Sequence, residues 1–231
     1  MRYKKMITAV IKKRLRRYSL SLVSVFILLS SFFWVCSDDF LLSRASSDYF
    51  PMDVGRSWTY VSDGDSLYRE VVGEGFHYER FATIIQRNFL SEYWVKEKSE
   101  VRKFVVFDTS LLGERDTIEM GYKLYYRFPL VNNSGWEENI LDTVVIASDS
   151  FAHIYTFSAL PLLIDTIRTP AGSFFNVYKI EFSLIRDLIS LRDTTTRYEI
   201  KSSWVEFLAP QVGVVRREEG GRTEVLTSFK R

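Results

Sequence analysis

The sequence predicts an all-β protein, an antiparallel meander that forms a curved sheet or incomplete barrel, preceded by an N-terminal signal or anchor helix. Three observations lead to this prediction. Basic residues precede an uncharged apolar run near the N-terminus. Apolar and polar residues then alternate with a period of two, and turn signals separate these runs at fairly even intervals. The expected domains are a signal or anchor (1–36), a tether (37–49) and a single antiparallel β domain (50–231).

The N-terminal segment has the layout of an export signal. The first 36 residues carry eight Lys and Arg and no acidic residue, and residues 18–35 carry no charge. A basic segment before an apolar run is typical of a secretory signal, and the positive residues stay on the cytoplasmic side of the membrane. We therefore expect an exported, membrane-tethered protein on the periplasmic or outer face of the cell envelope.

Cys36 ends the apolar run and is the only cysteine of the 231 residues. Its position resembles the lipobox of bacterial lipoproteins, whose cysteine is diacylated and becomes the mature N-terminus. That resemblance implies lipidation of Cys36. The family pattern has Leu three residues before the cysteine and a small residue directly before it, where this chain has Phe33 and Val35. An uncleaved membrane anchor and signal-peptidase cleavage after Ala45 are the alternatives.

The distribution of charge argues against one class of function. The whole chain has a net charge of +2, but residues 37–231 hold 23 Lys and Arg against all 29 Asp and Glu, a net charge of −6. A nucleic-acid-binding surface needs clustered positive charge to neutralise phosphates. We therefore expect no nucleic-acid partner for the domain.

The strands are predicted from alternation within single segments. In residues 178–184 the apolar side chains share one face of the strand, and residues 101–107 and 122–128 alternate in the same way, as antiparallel strands with one buried face do. Short helical turns are expected near residues 50–54, 109–113 and 186–192. We expect about ten strands, with the closest neighbours among the predicted ranges merging into one strand. The ranges are 56–61, 66–72, 77–88, 92–98, 101–107, 117–128, 142–157, 162–168, 174–186, 196–207, 212–218 and 223–229.

The turns and the core follow from the same pattern. Asp63-Gly64 and Gly220-Gly221 suit tight hairpins, which need positive φ. The strand faces predict that Trp58, Phe182 and Trp204 point into the core.

Three segments together resemble an uncharacterised, exported, lipoprotein-like bacterial family. They are YFPMDVGRSWTY at 49–60, IRTPAGSFFNVYKIEF at 167–182 and WVEFLAPQVGVVRRE at 204–218, which are similar to the family segments YFPL-x-x-G-x-x-W-x-Y, TPAG-x-F and AP-x-VG-x-V. The resemblance implies a cell-envelope protein with a curved antiparallel sheet, and it implies no activity. More distantly, the layout is similar to the half-barrel of periplasmic lipoprotein carriers.

The candidate catalytic side chains are few. The sequence contains no G-x-S-x-G, H-E-x-x-H or P-loop motif. His77 and Glu79 would share one face of a strand as a histidine–carboxylate pair, although a surface pair without chemistry is the simpler interpretation. His153 lies in an aromatic run and is expected to be a packed histidine. Glu79 or Glu199 would be the carboxylate of a hydrolase, the least favoured function.

Metal binding is also weakly indicated. Asp63 and Asp65 are similar to part of a calcium loop, but a calcium ion needs six to eight oxygen ligands, so a hairpin turn is the better interpretation. We expect no catalytic residue, no metal and no cofactor, and the sequence names no ligand-binding residue.

Three functions therefore remain in competition. The first is a non-enzymatic envelope protein that binds an apolar ligand, such as a lipid, or an envelope partner. The second is an assembly component that acts through an exposed sheet edge. The third is the carboxylate-dependent hydrolase. A deep aromatic cavity would favour the first function, a filled core the second, and convergent carboxylates in a cleft the third.

Overall fold

The computed structural model describes residues 49–108, 117–146 and 149–231. The expected signal or anchor, Cys36, Ala45 and the expected helical turn at 109–113 lie outside the described residues. Within those residues, no helix is both long enough and apolar enough to cross a membrane.

The described residues form one sheet of twelve strands in which all neighbours are antiparallel. The order across the sheet is β6-β5-β4-β3-β2-β1-β12-β11-β10-β9-β8-β7. The predicted all-β fold with a curved antiparallel meander is confirmed. The strands are β1 (Ser57–Ser62), β2 (Asp65–His77), β3 (Arg80–Arg87), β4 (Leu90–Glu97), β5 (Glu100–Asp108), β6 (Thr117–Arg127), β7 (Trp136–Ile146), β8 (Asp149–Thr169), β9 (Gly172–Ser190), β10 (Arg197–Ala209), β11 (Gly213–Glu219) and β12 (Arg222–Lys230).

The sheet is nearly closed and barrel-like, with its seam between β6 and β7. These two strands are the ends of the hydrogen-bonded order, so no backbone ladder joins their described residues. Side chains bridge the seam instead: Glu138 of β7 accepts a hydrogen bond from the backbone N–H of Leu124 at 3.0 Å and another from Arg102 at 2.9 Å. Glu138 is thus one of the side chains that hold the seam, together with Lys123, which lies over the ring of Tyr155.

Three expectations about the strands are wrong in detail. The described residues form twelve strands and not about ten, and the expected strand at 142–157 is divided between β7 and β8. The expected strand at 162–168 is part of the long β8. Residues 186–190 continue β9 as strand and not as a helical turn. Consecutive polar residues at 137–139 and 142–143 interrupt the period-two alternation in β7 and weaken its strand signal.

The interior holds the predicted core side chains. Trp58, Phe182 and Trp204 are all buried, as predicted. Phe182 and Trp204 stack with ring centroids 5.0 Å apart. Trp58 can be buried because its indole N–H donates to the carbonyl of Val212 at 2.6 Å.

The N-terminal part of the described chain closes one end of the sheet. Phe50, which is 4% exposed, packs against Trp94 and Tyr126 with ring centroids 4.9 and 5.0 Å away. The segment before β1 is thus part of the packed domain.

The hairpin turns agree with the glycine signals. Asp63 and Gly64 have φ of 52° and 92°, and Gly220 and Gly221 have φ of 56° and 81°. Such backbone conformations match the twist of the flanking strands. Asp63 and Asp65 therefore lie at the β1–β2 hairpin, as the interpretation of this segment as a hairpin turn predicted.

Candidate functional site

A network of charged side chains lies inside the sheet, among the aromatic residues. We call it the interior charge network. It contains four cations and three carboxylates that line one small cavity together with tyrosine and tryptophan rings: Arg69, Arg87, Glu92, Lys103, Glu206, Arg217 and Glu224.

Glu206 is the most deeply buried of the carboxylates, with 2% of its surface exposed. One of its oxygens accepts hydrogen bonds from the Tyr125 hydroxyl at 2.8 Å and from Arg217 at 3.2 Å. Its other oxygen accepts from the Tyr126 hydroxyl. Trp204 in turn donates to the Tyr125 oxygen at 3.1 Å. All three of these hydrogen bonds to Glu206 come from donors, as a buried carboxylate requires.

Glu92 is held by a second set of donors. Arg69 and Lys103 each approach it at 2.8 Å, and the Trp94 indole N–H donates to it at 3.2 Å. Arg87 and Glu224 form a further ion pair between β3 and β12. The network therefore ties strands from opposite parts of the sheet to one another.

The pKa directions follow from burial and from these partners. Burial raises the pKa of Tyr125 and of Tyr126, and the neighbouring Glu206 charge raises both further. Burial opposes ionisation of Glu92, but the charges of Arg69 and Lys103 outweigh it and lower the pKa of Glu92. The tyrosines remain neutral donors and Glu92 remains a charged acceptor at neutral pH.

The interior leaves almost no space for a ligand. The cavity within the network has a volume of ≈ 20 Å³, which is room for about one water molecule. The described part of the sheet thus has a filled interior and not a deep aromatic cavity. This outcome favours contact with a partner at the outside of the sheet over an apolar ligand inside it.

A larger hollow opens where the β11–β12 hairpin ends. It has a volume of ≈ 640 Å³ and runs between β9, β10 and the hairpin turn at Gly220 and Gly221. Phe182 and Trp204 lie in its wall, beside Glu181 and Arg222. The hollow is open to solvent and has both apolar and charged walls.

Among the described strands, none pairs with the first part of β10 on the side next to this hollow. β9 pairs with β10 from Arg197 to Leu208, whereas β11 pairs with it only from Trp204 to Ala209. In the described residues, the β11 side of Arg197–Ser203 is therefore unpaired. We call this stretch the free edge. Such an edge presents backbone donors and acceptors to any extended chain that approaches it.

Charged side chains line the free edge. Lys201 and Arg197 approach Glu199 at 2.8 and 3.4 Å, and Arg197 also pairs with Asp187 at 2.8 Å. Charges on an edge strand disfavour indiscriminate pairing with other strands. Glu199, which the sequence offered as a hydrolase carboxylate, is therefore one member of a surface ion-pair row.

The expected pairing of His77 with Glu79 on one strand face is wrong. β2 ends at His77, and Tyr78 and Glu79 form the hairpin turn with φ of 44° and 64°, so the period-two alternation stops before Glu79. His77 instead stacks on Tyr93 with ring centroids 3.6 Å apart, and its Nδ1 lies 3.1 Å from the Tyr122 hydroxyl.

The structure places His153 inside the sheet, as the packing interpretation predicted. It is 1% exposed and lies in β8 between Phe151 and Tyr155, which are buried on the same face. Its Nδ1 is 3.3 Å from Glu119, yet neither ring nitrogen makes a hydrogen bond to any residue that the structure describes. Burial lowers the pKa of His153, so the ring is neutral at pH 7.

The candidate hydrolase residues do not converge. Glu79 is in the β2–β3 turn and Glu199 is in β10, and strands β2, β1, β12 and β11 lie between β3 and β10. Each of the two carboxylates is on a different part of the sheet, so they form no common cleft.

The sequence analysis missed the interior charge network. The signal that could have found it is a charged residue at a strand position where the neighbours two residues away are apolar and point into the sheet. Glu206 stands between Trp204 and Leu208, and Arg69 between Leu67 and Val71. A charged side chain at an inward position needs an opposite charge across the sheet, and only the strand order shows where that charge is.

Comparisons with known proteins give limited similarity. No family model matches the chain, and no curated protein matches it. A crystal structure of a candidate lipoprotein from Parabacteroides distasonis is 14% identical with a TM-score of 0.45, over 79% of this chain and 99% of that one. A candidate exported protein with a YmcC-like fold from Bacteroides fragilis is 14% identical with a TM-score of 0.41, over 80% and 99%.

Proposed function

We propose that the protein is an exported, membrane-tethered, non-enzymatic module of the cell envelope that binds an extended segment of an envelope partner. The filled interior is the observation that carries this proposal. The cavity within the interior charge network has a volume of only ≈ 20 Å³, which supports binding on the outside of the sheet, where the free edge and the hollow lie side by side.

The free edge supplies the backbone contacts. An extended partner segment that aligns with Arg197–Ser203 would continue the β10 ladder on the side that β11 leaves unpaired. Addition of a strand to a sheet edge takes its affinity from main-chain hydrogen bonds and its specificity from pockets for alternate side chains. The hollow beside Trp204 would be such a pocket.

The membrane tether rests on the sequence. The eight basic residues and the uncharged run of 18–35 favour export, and Cys36 is the residue that a lipid would modify. Metabolic labelling with a fatty-acid analogue tests this part: wild type should be labelled and Cys36→Ser should not. Equal labelling of the two would contradict lipidation and favour the retained anchor or cleavage after Ala45.

Photocrosslinking in cells tests the binding surface. A photoreactive amino acid at Lys201, on the free edge, should capture a partner. The same amino acid at Val61 should not, because Val61 is also partly exposed but lies in β1, which is paired on both sides. Hydrogen exchange on the captured complex should show slowed exchange of the amides of 197–203.

Other outcomes would contradict the proposal. Equal crosslinking from Lys201 and Val61 would show that the free edge has no special role. A lipid that co-purifies with the protein in native mass spectrometry, without a partner, would favour the alternative of an apolar ligand in the hollow.

A further inference from the structure

Exposed aromatic side chains surround the place where the chain enters the described domain. Phe76 and Phe81 are 78% and 66% exposed and face each other as cross-strand partners at the tip of the β2–β3 hairpin. Phe175, near the start of β9, is also exposed. We call these three residues the aromatic rim.

The aromatic rim is adjacent to the first described residues. Phe81 lines an open hollow together with Pro51 and Met52. The Tyr49 hydroxyl donates to the carbonyl of Asn176, directly after Phe175, at 3.0 Å. The rim therefore flanks the point where the tether meets the domain from two sides.

The length of the tether limits how far this end can move from a membrane. Twelve residues separate Cys36 from Tyr49. Twelve residues span at most about 40 Å when fully extended. β3 has eight residues, so the opposite end of the sheet is about 26 Å farther along the strands.

We infer that the aromatic rim rests on the lipid bilayer, with Phe76, Phe81 and Phe175 inserted at the membrane surface. The inference depends on the membrane tether of the proposed function. Exposed aromatic side chains at one end of a tethered domain lose unfavourable contact with water when they enter the headgroup region. Both signs of charge stand near the rim, with Asp53 and Glu74 beside Lys96, so anionic lipid is not required.

The chain offers a matched control for this inference. Phe89 is 97% exposed and follows β3 at its other end, whereas Phe81 lies near its beginning. Both residues are exposed phenylalanines next to hairpin turns, but only Phe81 is at the end from which the tether leaves.

The test uses the full chain in phosphatidylcholine vesicles with brominated acyl chains. An environment-sensitive fluorescent amino acid replaces Phe81 in one variant and Phe89 in the other. We expect a blue shift and quenching by the brominated lipid at position 81, and neither at position 89. Flotation of the vesicles on a density gradient reports separately whether the chain is tethered.

The outcomes separate the inference from the proposed function. If the chain floats with the vesicles but shows no quenching at position 81, or equal quenching at positions 81 and 89, the contact of the aromatic rim with the bilayer is refuted. The membrane tether is still supported in that case. A chain that does not float overturns the tether and the membrane contact together. Loss of quenching in Phe76→Ser/Phe175→Ser, with flotation and circular dichroism unchanged, would show that the rim acts as a unit.

Discussion

Glu138 and Leu124 join the two ends of the hydrogen-bonded sheet through one side chain-to-backbone hydrogen bond of 3.0 Å. Because Glu138 also accepts from Arg102, a single carboxylate satisfies donors from both β5 and β6 at a seam that has no backbone ladder. Side chains, and not a backbone ladder, therefore hold the described strands together at this seam.

Glu138→Ala should destabilise the protein by about 1–3 kcal/mol, since it removes an acceptor from two partly buried donors. Glu137→Ala is the control, because Glu137 is exposed and adjacent on the same strand, and a surface change of this kind lies within about 0.5 kcal/mol of wild type. Urea unfolding of the detergent-solubilised full chain gives both values. Equal stability of the two variants would show that the carboxylate does not hold the seam.

Glu206→Ala should cost more, about 3–5 kcal/mol, because it leaves the buried charge of Arg217 and two tyrosine hydroxyls without their shared acceptor. Glu206→Gln should recover part of the loss, since its amide oxygen still accepts. Glu218→Ala, which breaks only the partly exposed pair with Arg216, should cost at most about 1 kcal/mol. The same urea experiment ranks the three variants, and a different ranking contradicts the role given to Glu206.

Glu92 should make the stability depend on pH in acid. Burial disfavours its charge, but Arg69 and Lys103 lower its pKa in the folded state below the ordinary value of about 4.3 in the unfolded state. The folded state therefore binds fewer protons, and the contribution of Glu92 to stability is present above about pH 4.3 and is lost as the pH falls towards the folded pKa.

Melting temperatures between about pH 6 and pH 2 measure this effect. Glu92→Gln should flatten the decline on acidification. Glu97→Gln, at an exposed ion pair with Arg80, should leave the decline as steep as in wild type. A Glu92→Gln profile parallel to that of wild type would mean that other carboxylates cause the acid sensitivity.

Gly135→Ala should destabilise the loop between β6 and β7. A Cβ at this position would be 2.5 Å from the backbone oxygen of Ala159, so the loop and β8 would have to separate, at a cost of about 1–3 kcal/mol. Gly73→Ala is the matched control, because a Cβ there meets no atom of the described residues within 4 Å. If both variants have the same melting temperature as wild type, the close approach of the loop to β8 is not needed for stability.

The sequence predicts the fold class, because local alternation and hairpin glycines are sufficient for a meander. It also predicts the burial of Trp58, Phe182 and Trp204, since each stands in the apolar phase of a strand. The sequence does not predict which side chains of β6 point into the sheet. A register shift between Val101 and Arg102 of β5 interrupts the alternation along β6. As a result, the adjacent Tyr125 and Tyr126 both reach Glu206.

The candidate site could not be predicted to the same extent. The free edge exists because β11 is shorter than β10, and the length of one strand relative to its neighbour depends on the register between them. The interior charge network depends on contacts between residues as distant as Arg87 and Glu224. A single sequence shows the charged residues but not which of them meet.

The junction of β1 with β12, where Trp58 lies opposite Phe229, has a consequence for how the protein folds. Every other neighbouring pair in the sheet joins strands that are consecutive in the chain, and such hairpins form quickly because their loops are short. The β1–β12 pair closes a loop of nearly the whole domain, which costs the most chain entropy and forms slowly. β12, the last of the described strands in chain order, therefore unites the two six-stranded halves, and a chain shortened before Arg222 would leave β1 and β11 as open, aggregation-prone edges.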